Sequence, residues 1–331
     1  MAQCVGCTLT IQKVLAANSP GLMTAEIMLK KMERETIGAI QIQIAVAGDT
    51  DAGKSSLIGV LLSGEKDNGK GLSRTHVFRH NHEVQSGSTS SISHHSIYFN
   101  MSGEILNHVT SVPGSRMRLR SKSDIEYADM ACRIVSLLDL AGSVKYLKST
   151  VKAIFGYQPT YCILCISILS LTGDNPRISS MTLEHLGMAL TLGLRVAVVI
   201  TKSDLTNEPI DVQEDLIIKY LQKLLKAQGY ESNYVKSLEQ IVTLVLESSL
   251  TVNQSKPVIP IFFTSSVTGQ GLDLLHSYMF QLPLCNKKVV NNNTIVEARV
   301  IDSFSLVNIT PNTSLNTIDD TTITSLTDSN P

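Results

Sequence analysis

A glycine-rich stretch, GDTDAGKSS, has the residue types and the spacing of a phosphate-binding loop. It fits G-x-x-x-x-G-K-[ST], in which the two glycines let successive backbone N–H groups point into one anion-sized concavity. Lys54 is expected to reach the β- and γ-phosphates of a nucleotide, and Ser55 to ligate Mg²⁺ where a helix begins. The predicted phosphate-binding residues are Gly48, Asp49, Thr50, Asp51, Ala52, Gly53, Lys54, Ser55 and Ser56.

A second candidate site lies in RIVSLLDLAG, an apolar run that ends at Asp139 and continues as D-x-x-G to Gly142. If this run is a strand beside the phosphate loop, the Asp139 carboxylate can hold Mg²⁺ through a water molecule. The Gly142 N–H can then meet the γ-phosphate. D-x-x-G also occurs in ordinary turns, so the motif gains its weight from its place after an apolar run.

A third candidate site, TKSD, follows the apolar run LRVAVVI. The Asp204 carboxylate can accept two parallel hydrogen bonds from guanine N1–H and N2–H₂, which adenine does not present, while the Lys202 stem covers the ring. An isolated TKSD could equally begin a helix. The alternative for the bound nucleotide is ATP, in a P-loop protein that does not select guanine. The loop TSSV, after VIPIFF, is the expected partner whose N–H groups would meet guanine O6. The predicted base-binding residues are Thr201, Lys202, Asp204, Ser265, Ser266 and Val267.

Strand-like and helix-like patterns alternate from Ile40 onward, and each motif follows a strand-like run. Helical spacing marks segments such as MTLEHLGMAL and VQEDLIIKYLQKLLKAQG. The alternation predicts an α/β fold of the P-loop NTPase G-domain type, with a mostly parallel sheet flanked by helices and ligands at the carboxyl ends of the strands. The strand-like runs are IQIQIAVA, SISHHSIYF, RIVSLLDL, YCILCISIL, LRVAVVI and VIPIFF.

The sequence divides into three regions. Residues 1–37 have no clear period, and GLMTAEIMLKKMERE fits an amphipathic helix as well as a strand that extends the sheet. Residues 38–284 form the predicted nucleotide-binding domain. Residues 285–331 hold one strand-like run, IVEARVIDSFSLVNI, and a polar tract rich in Thr, Ser, Asn and Asp. The tract has too few apolar residues to form a core, so we expect it to be disordered.

Composition limits the class of protein. The chain has 331 residues, 43% of them hydrophobic, which is enough for a sizeable core. A net charge of −1 gives no signal for direct nucleic-acid binding. No secretion signal or membrane-spanning run appears, so we expect a cytoplasmic protein without membrane contact. The pairs Cys4/Cys7 and Cys162/Cys165 suggest zinc, but the second pair lies in a strand-like run where its members face opposite ways, which favours buried thiols.

The segment after the phosphate loop adds a family resemblance. GEKDNGKGLSRTHVFRHNHEVQSGSTSS closely resembles the switch I region of the GTP-binding protein 1 and 2 family, relatives of elongation factors Tu and 1-alpha. KYLKSTV, EHLGMALTLGL and SSVTGQGLDLL resemble the same family, and the similarity extends over roughly residues 22 to 284. It implies a translational-type GTPase that binds GTP or GDP with Mg²⁺ and works with the ribosome or the RNA-surveillance machinery. It also makes Thr89 the switch I residue that ligates Mg²⁺ and senses the γ-phosphate.

Two departures from the family qualify what the resemblance implies. Family members read D-x-x-G-H, where the histidine orients the attacking water, but this chain has Ser143 followed by Val144. Serine has no imidazole, so we expect nucleotide binding to persist and hydrolysis to be slow. RVIDSFSLVN resembles the start of a first β-barrel domain, after which the resemblance stops. The predicted catalytic residues are Thr89, Gly142 and Ser143.

Three functions are consistent with these observations. The first is a slow Mg²⁺-dependent GTPase of the translational class. The second is a module that binds GTP or GDP, hydrolyses little and acts by occupying a partner. The third is an inactive, C-terminally truncated paralogue. Ser143 favours the second function over the first, and the missing barrel favours the third.

Overall fold

The computed structural model describes residues 7–16, 23–31, 39–108, 110–111, 118–119, 122–172, 177–205, 210–250 and 258–283. The run IVEARVIDSFSLVNI, the polar tract after it and Cys4 lie outside the described residues. The chain divides into two compact units, and the described residues from 39 onward belong to the larger one. No helix among the described residues is long and apolar enough to cross a membrane.

The smaller unit contains a β-hairpin. Strand β1 (Cys7–Ala16) pairs antiparallel with β2 (Met23–Lys31), and the register shifts between Ile11 and Lys13. Of the two alternatives for GLMTAEIMLKKMERE, the structure therefore has a strand. This strand pairs with β1 in a two-stranded sheet and adds nothing to the large sheet.

A seven-stranded sheet organises the larger unit, in the order β10-β11-β9-β8-β3-β7-β4. All neighbouring strands are parallel except β4, which runs antiparallel to β7 at one edge. The two-residue strands β5 and β6 pair only with each other. The strands are β3 (Ile40–Gly48), β4 (Ser93–Phe99), β5 (Thr110–Ser111), β6 (Arg118–Leu119), β7 (Arg133–Asp139), β8 (Tyr161–Ser167), β9 (Arg195–Thr201), β10 (Ser232–Tyr234) and β11 (Ile259–Phe263).

Helices cover both faces of this sheet. Because side chains alternate along a strand, Ile44 and Val46 of β3 enter one apolar core while Ala45 and Ala47 enter the other. The two cores and the parallel strands confirm the fold class predicted from the alternating pattern. The helices are α1 (Lys54–Ser63), α2 (Asn81–Ser86), α3 (Asp124–Met130), α4 (Leu147–Tyr157), α5 (Ser180–Thr191), α6 (Ile210–Ala227), α7 (Leu238–Leu250) and α8 (Leu272–Gln281), with short 3₁₀ helices at Ser73–His76, Val144–Tyr146, Ile168–Ser170 and Ser203–Leu205.

The residues that follow α8 are hydrogen-bonded to the sheet where its parallel strands begin. Arg133, the first residue of β7, donates from its guanidinium to the Leu282 carbonyl. The Tyr161 hydroxyl, at the start of β8, donates to the Pro283 carbonyl at 2.6 Å. The predicted nucleotide-binding motifs lie at the opposite edge, where the parallel strands end.

Candidate functional site

The loop between β3 and α1 requires glycine at both of its ends. Gly48 has φ of 138°, and a Cβ there would lie 2.3 Å from the Cys165 carbonyl oxygen, so β8 approaches too closely for any side chain. Gly53 has φ of 77°, a left-handed conformation that favours glycine. Lys54, the first residue of α1, donates from Nζ back to the Asp49 carbonyl at 2.7 Å. Burial lowers the pKa of Lys54, with the nearby Asp139 carboxylate opposing this effect.

A buried histidine supports the start of this loop. The Gly48 N–H donates to His185 Nδ1 at 3.2 Å, and the His185 side chain is fully buried in α5. Because Nδ1 accepts, the proton of the neutral ring is assigned to Nε2. Burial and the proximity of Lys54 lower the pKa of His185 to about 4.

The buried histidine predicts a dependence of stability on pH. The folded-state pKa of about 4 lies below the ordinary value of 6.5, so the unfolded chain binds more protons between these values and stability falls as pH drops through this window. The loss of stability reaches about 3 kcal/mol below pH 4 and is absent above pH 6.5. The free energy of unfolding, measured with urea between pH 4.5 and 7.5, should depend less steeply on pH for His185→Gln than for the native chain. Equal slopes would contradict the assignment.

Three oxygen-bearing side chains from separate elements converge beside the loop. Ser55 Oγ donates to Asp139 Oδ2 at 2.6 Å, and the hydroxyls of Ser55 and Thr89 lie 2.8 Å apart. Thr89 Oγ1 lies 3.4 Å from the same Asp139 oxygen. Neighbouring ligands of an octahedral Mg²⁺ stand about 2.9 Å apart, so the Ser55 and Thr89 hydroxyls have the spacing and the hard oxygen donors of two direct ligands. All three predicted Mg²⁺ ligands are therefore brought together.

Asp139 itself is fully buried at the end of β7. Burial raises its pKa to about 6, although Lys54 and the Ser55 hydroxyl act in the opposite direction. Its Oδ1 has no hydrogen-bond partner among the described residues. A buried carboxylate oxygen without a donor is costly, and a cation with its water would satisfy it.

The D-x-x-G loop packs directly against the phosphate loop. A Cβ on Gly142 would lie 2.5 Å from the backbone carbonyl carbon of Asp49, so only glycine fits there. The loop is held from α4, where the Thr150 hydroxyl donates to the Ala141 carbonyl at 3.0 Å. Ser143 caps the short helix that follows, and its Oγ accepts the Lys145 N–H at 3.4 Å. The position directly after Gly142 is thus occupied by a small capping hydroxyl.

The two predicted base loops are joined to each other and to the phosphate loop. The Ser265 hydroxyl donates to Asp204 Oδ1 at 2.5 Å, which orients the carboxylate. Thr201 Oγ1 donates to the Ala52 carbonyl at 2.8 Å. Lys202 has φ of 59°, unusual for a residue with a side chain and typical of functional loops.

The N–H groups of the second base loop are partly engaged. Val267 N–H and Thr268 N–H both donate to Ser265 Oγ, at 3.2 and 3.0 Å. The Ser266 N–H is therefore the candidate donor to a base oxygen, in place of the Val267 N–H included in the sequence prediction.

Two buried carboxylates fix the segment between α1 and β4. Glu83 is 1% exposed and accepts six hydrogen bonds, which overcome the effect of burial and lower its pKa to about 2. Its donors flank Thr89, so the carboxylate holds the loop that presents this threonine. They are the N–H groups of Arg79 (3.0 Å), His80 (3.2 Å), Ser90 (2.7 Å) and Ser91 (2.9 Å) and the hydroxyls of Ser90 (2.8 Å) and Ser91 (3.1 Å).

Asp67 is the second of these carboxylates. It accepts the N–H groups of Gly69, Gly71 and Ser73 at 2.8 to 3.1 Å, and its own N–H donates to the Ser266 carbonyl at 2.8 Å. Burial opposes its ionisation, but these hydrogen bonds lower the pKa of Asp67. The segment that contains Thr89 is thus tied to the second base loop.

Most of the predicted phosphate-side residues line one cleft, together with residues that were not predicted. Arg74 is the unpredicted cation, and Glu83 and His185 support the cleft without lining it. All three stand in stretches quoted for the family resemblance, which supplies the only sequence signal for them. The cleft is lined by Thr50, Asp51, Gly53, Lys54, Ser55, Ser56, Arg74, Gly87, Ser88, Thr89, Gly142 and Ser143.

The cysteine pair on β8 is packed as thiols. Cys162 enters one core and Cys165 the other, on opposite faces of the sheet. Burial raises the pKa of both thiols to about 12. Within the described residues, no group of three or more His, Cys, Asp or Glu side chains is arranged to hold a metal ion.

Comparison with known proteins places this geometry in context. The family described as the elongation factor Tu GTP binding domain matches residues 40–299. GTP-binding protein 1 of Xenopus laevis is 38% identical over 72% of this chain and 34% of its own length. GTP-binding protein 2 of Homo sapiens is 34% identical over 87% of this chain and 45% of its own length. The resemblance read from the sequence is confirmed, and the chain spans less than half the length of these relatives.

Proposed function

The chain belongs to the family of the elongation factor Tu GTP-binding domain, and on this premise we propose that it binds GTP and GDP with Mg²⁺ and hydrolyses GTP slowly. The observation that carries the proposal is the Asp204 carboxylate, held by Ser265 in a loop that Thr201 joins to the phosphate loop. A carboxylate in this place selects guanine, because it can accept from N1–H and N2–H₂ together.

Each element of the cleft has a separate task in this proposal. The backbone N–H groups of the phosphate loop and the Lys54 ammonium bind the β- and γ-phosphates. Ser55, Thr89 and Asp139 would hold Mg²⁺, the last through water. When bound, the ion would neutralise charge on the phosphate oxygens. The Gly142 N–H would meet the γ-phosphate. Gly142 has no side chain, so its backbone lies next to the Lys54 ammonium.

Hydrolysis is the weak step of this site. Catalysis of phosphoryl transfer to water depends on orienting the nucleophile, and Ser143 lines the cleft with a short hydroxyl engaged by the Lys145 N–H. The same observation supports a second candidate function, a module that holds GTP or GDP and hydrolyses almost none. The two functions share the binding site and differ only in turnover.

Replacement of Asp204 by asparagine tests the guanine assignment. An amide cannot accept from both N1–H and N2–H₂, so GDP affinity should fall by about 2 kcal/mol, roughly thirtyfold. Xanthine carries a carbonyl where guanine carries its amino group, so XDP should bind the variant more tightly than it binds the native chain. Equilibrium titration of the full chain with both nucleotides gives both values.

Asp129→Asn provides the matched control, because Asp129 is an exposed carboxylate on α3. It should leave both affinities unchanged. If Asp204→Asn retains full guanine selectivity, or if ATP competes as well as GTP with the native chain, the proposed base recognition is wrong.

A further inference from the structure

The backbone around Arg74 is fixed on several sides. Arg74 stands in the 3₁₀ helix Ser73–His76, which packs against α1 so closely that a Cβ on Gly59 would lie 2.2 Å from the Ser73 carbonyl oxygen. The Asp67 carboxylate accepts the Ser73 N–H at 2.8 Å. The fold therefore fixes the backbone position of Arg74.

Two glycines make room for the side chain itself. A Cβ on Gly71 would lie 2.5 Å from Arg74 Nε, and one on Gly87 would lie 3.0 Å from its Nη2. Arg74 Nη1 donates to the Gly87 carbonyl at 3.4 Å. The guanidinium thus runs between Gly71 and Gly87, both of which have positive φ.

This path ends at the phosphate side of the cleft. Arg74 lines it together with Lys54, Thr89, Gly142 and Ser143. A guanidinium has five N–H donors, and among the described residues only one of its hydrogen bonds is seen, to Gly87. No carboxylate within the described part of the chain is close enough to form an ion pair with it. A half-buried, preorganised cation without a counter-ion in an anion cleft calls for an anionic ligand.

We propose that Arg74 binds the γ-phosphate of GTP, an inference that rests on the proposed function. The γ-phosphate is indicated because Thr89, Gly142 and Ser143, which are expected to meet it, line the same cleft as Arg74, whereas none of the predicted base-binding residues lines that cleft. A guanidinium can engage two phosphate oxygens at once, which the Lys54 ammonium does only as a point charge. Arg74 therefore distinguishes GTP from GDP and stabilises the charge that develops on the γ-phosphate during hydrolysis.

The affinity ratio between a non-hydrolysable GTP analogue and GDP tests this inference. In the full chain with Mg²⁺ at fixed ionic strength, Arg74→Ala should weaken GppNHp about tenfold and change GDP affinity less than twofold. Arg74→Lys keeps a charge but loses the planar fork, so it should give an intermediate loss. Arg74→Gln keeps the stem and should resemble Arg74→Ala, which separates charge from packing if the alanine variant folds poorly.

Arg177 provides the matched control. Its side chain is exposed and does not line the cleft, so Arg177→Ala should change neither affinity. An equal loss for GppNHp and GDP in Arg74→Gln, or no loss for either, would overturn the role of Arg74 while the proposed function stands. If the native chain binds neither nucleotide, the proposed function fails first, and the inference fails with it.

Discussion

Replacing Ser143 with histidine is expected to raise the rate of GTP hydrolysis about 100-fold. A positioned imidazole that orients or deprotonates water contributes a factor of this order, and position 143 directly follows Gly142 in the cleft. GDP affinity should change little, because no contact of the base loops involves this residue. Phosphate release in a single turnover, with the full chain in excess over GTP and Mg²⁺ present, measures the chemical step.

Ser143→Ala is the control for this experiment. Both substitutions remove the hydroxyl that accepts the Lys145 N–H, but only histidine adds an imidazole. If the native chain is inert and histidine restores turnover, the chain is a binding module that lacks a water-positioning group. If native and histidine forms turn over equally, another residue positions the water and the enzyme function stands. If neither form binds GTP, an inactive paralogue becomes the better hypothesis.

Replacing Glu83 with alanine is expected to release the loop that presents Thr89. Six hydrogen bonds end on this one buried carboxylate, and their loss leaves the donors of Ser90 and Ser91 unpaired. Local opening of the loop should become easier by about 3 kcal/mol, or roughly 100-fold in amide exchange at these two residues. Hydrogen exchange read by NMR gives this rate directly. Binding of a GTP analogue with Mg²⁺ should weaken as well, since Thr89 loses its fixed position.

Glu126 offers a comparison within the same chain. It accepts the Ser123 N–H and hydroxyl at the start of α3, but its side chain is exposed. Glu126→Ala should leave exchange at Ser90 and Ser91 unchanged, and Glu83→Gln should fall between the two because its amide nitrogen cannot accept the facing N–H groups. Unchanged exchange in Glu83→Ala would mean that other contacts hold the loop.

The sequence predicted a mostly parallel sheet flanked by helices, and the structure confirms this fold class. Ser55 and Asp139 are 84 residues apart, yet both follow apolar runs, and parallel strands end at one edge, so their contact could be expected. Thr89 was different, since only a family resemblance separated it from its serine neighbours. The strand-like run SISHHSIYF was correct as a strand, but its antiparallel place at the sheet edge has no signature in its residues.

The supporting residues could not be predicted for a physical reason. His185 meets Gly48 across 137 residues, and periodicity gives the face of α5 without saying which backbone N–H it meets. Glu83 looks like an exposed helix-start residue, because acidic side chains are common in a first turn. Its burial depends on the loop folding back over it, which is a tertiary contact. Arg74 lines the cleft only because Gly71 and Gly87 happen to flank its path.

The attachment of Pro283 to the start of β8 has a practical consequence. Strand β7 spans seven residues from Arg133, beside Leu282, to Asp139 in the cleft. At about 3.3 Å per residue, the two edges stand roughly 20 Å apart. A fluorophore or a surface tether carried at position 283 would therefore stand clear of the nucleotide. Nucleotide release and rebinding could therefore be followed on an immobilised sample, because the attachment at position 283 does not block the cleft.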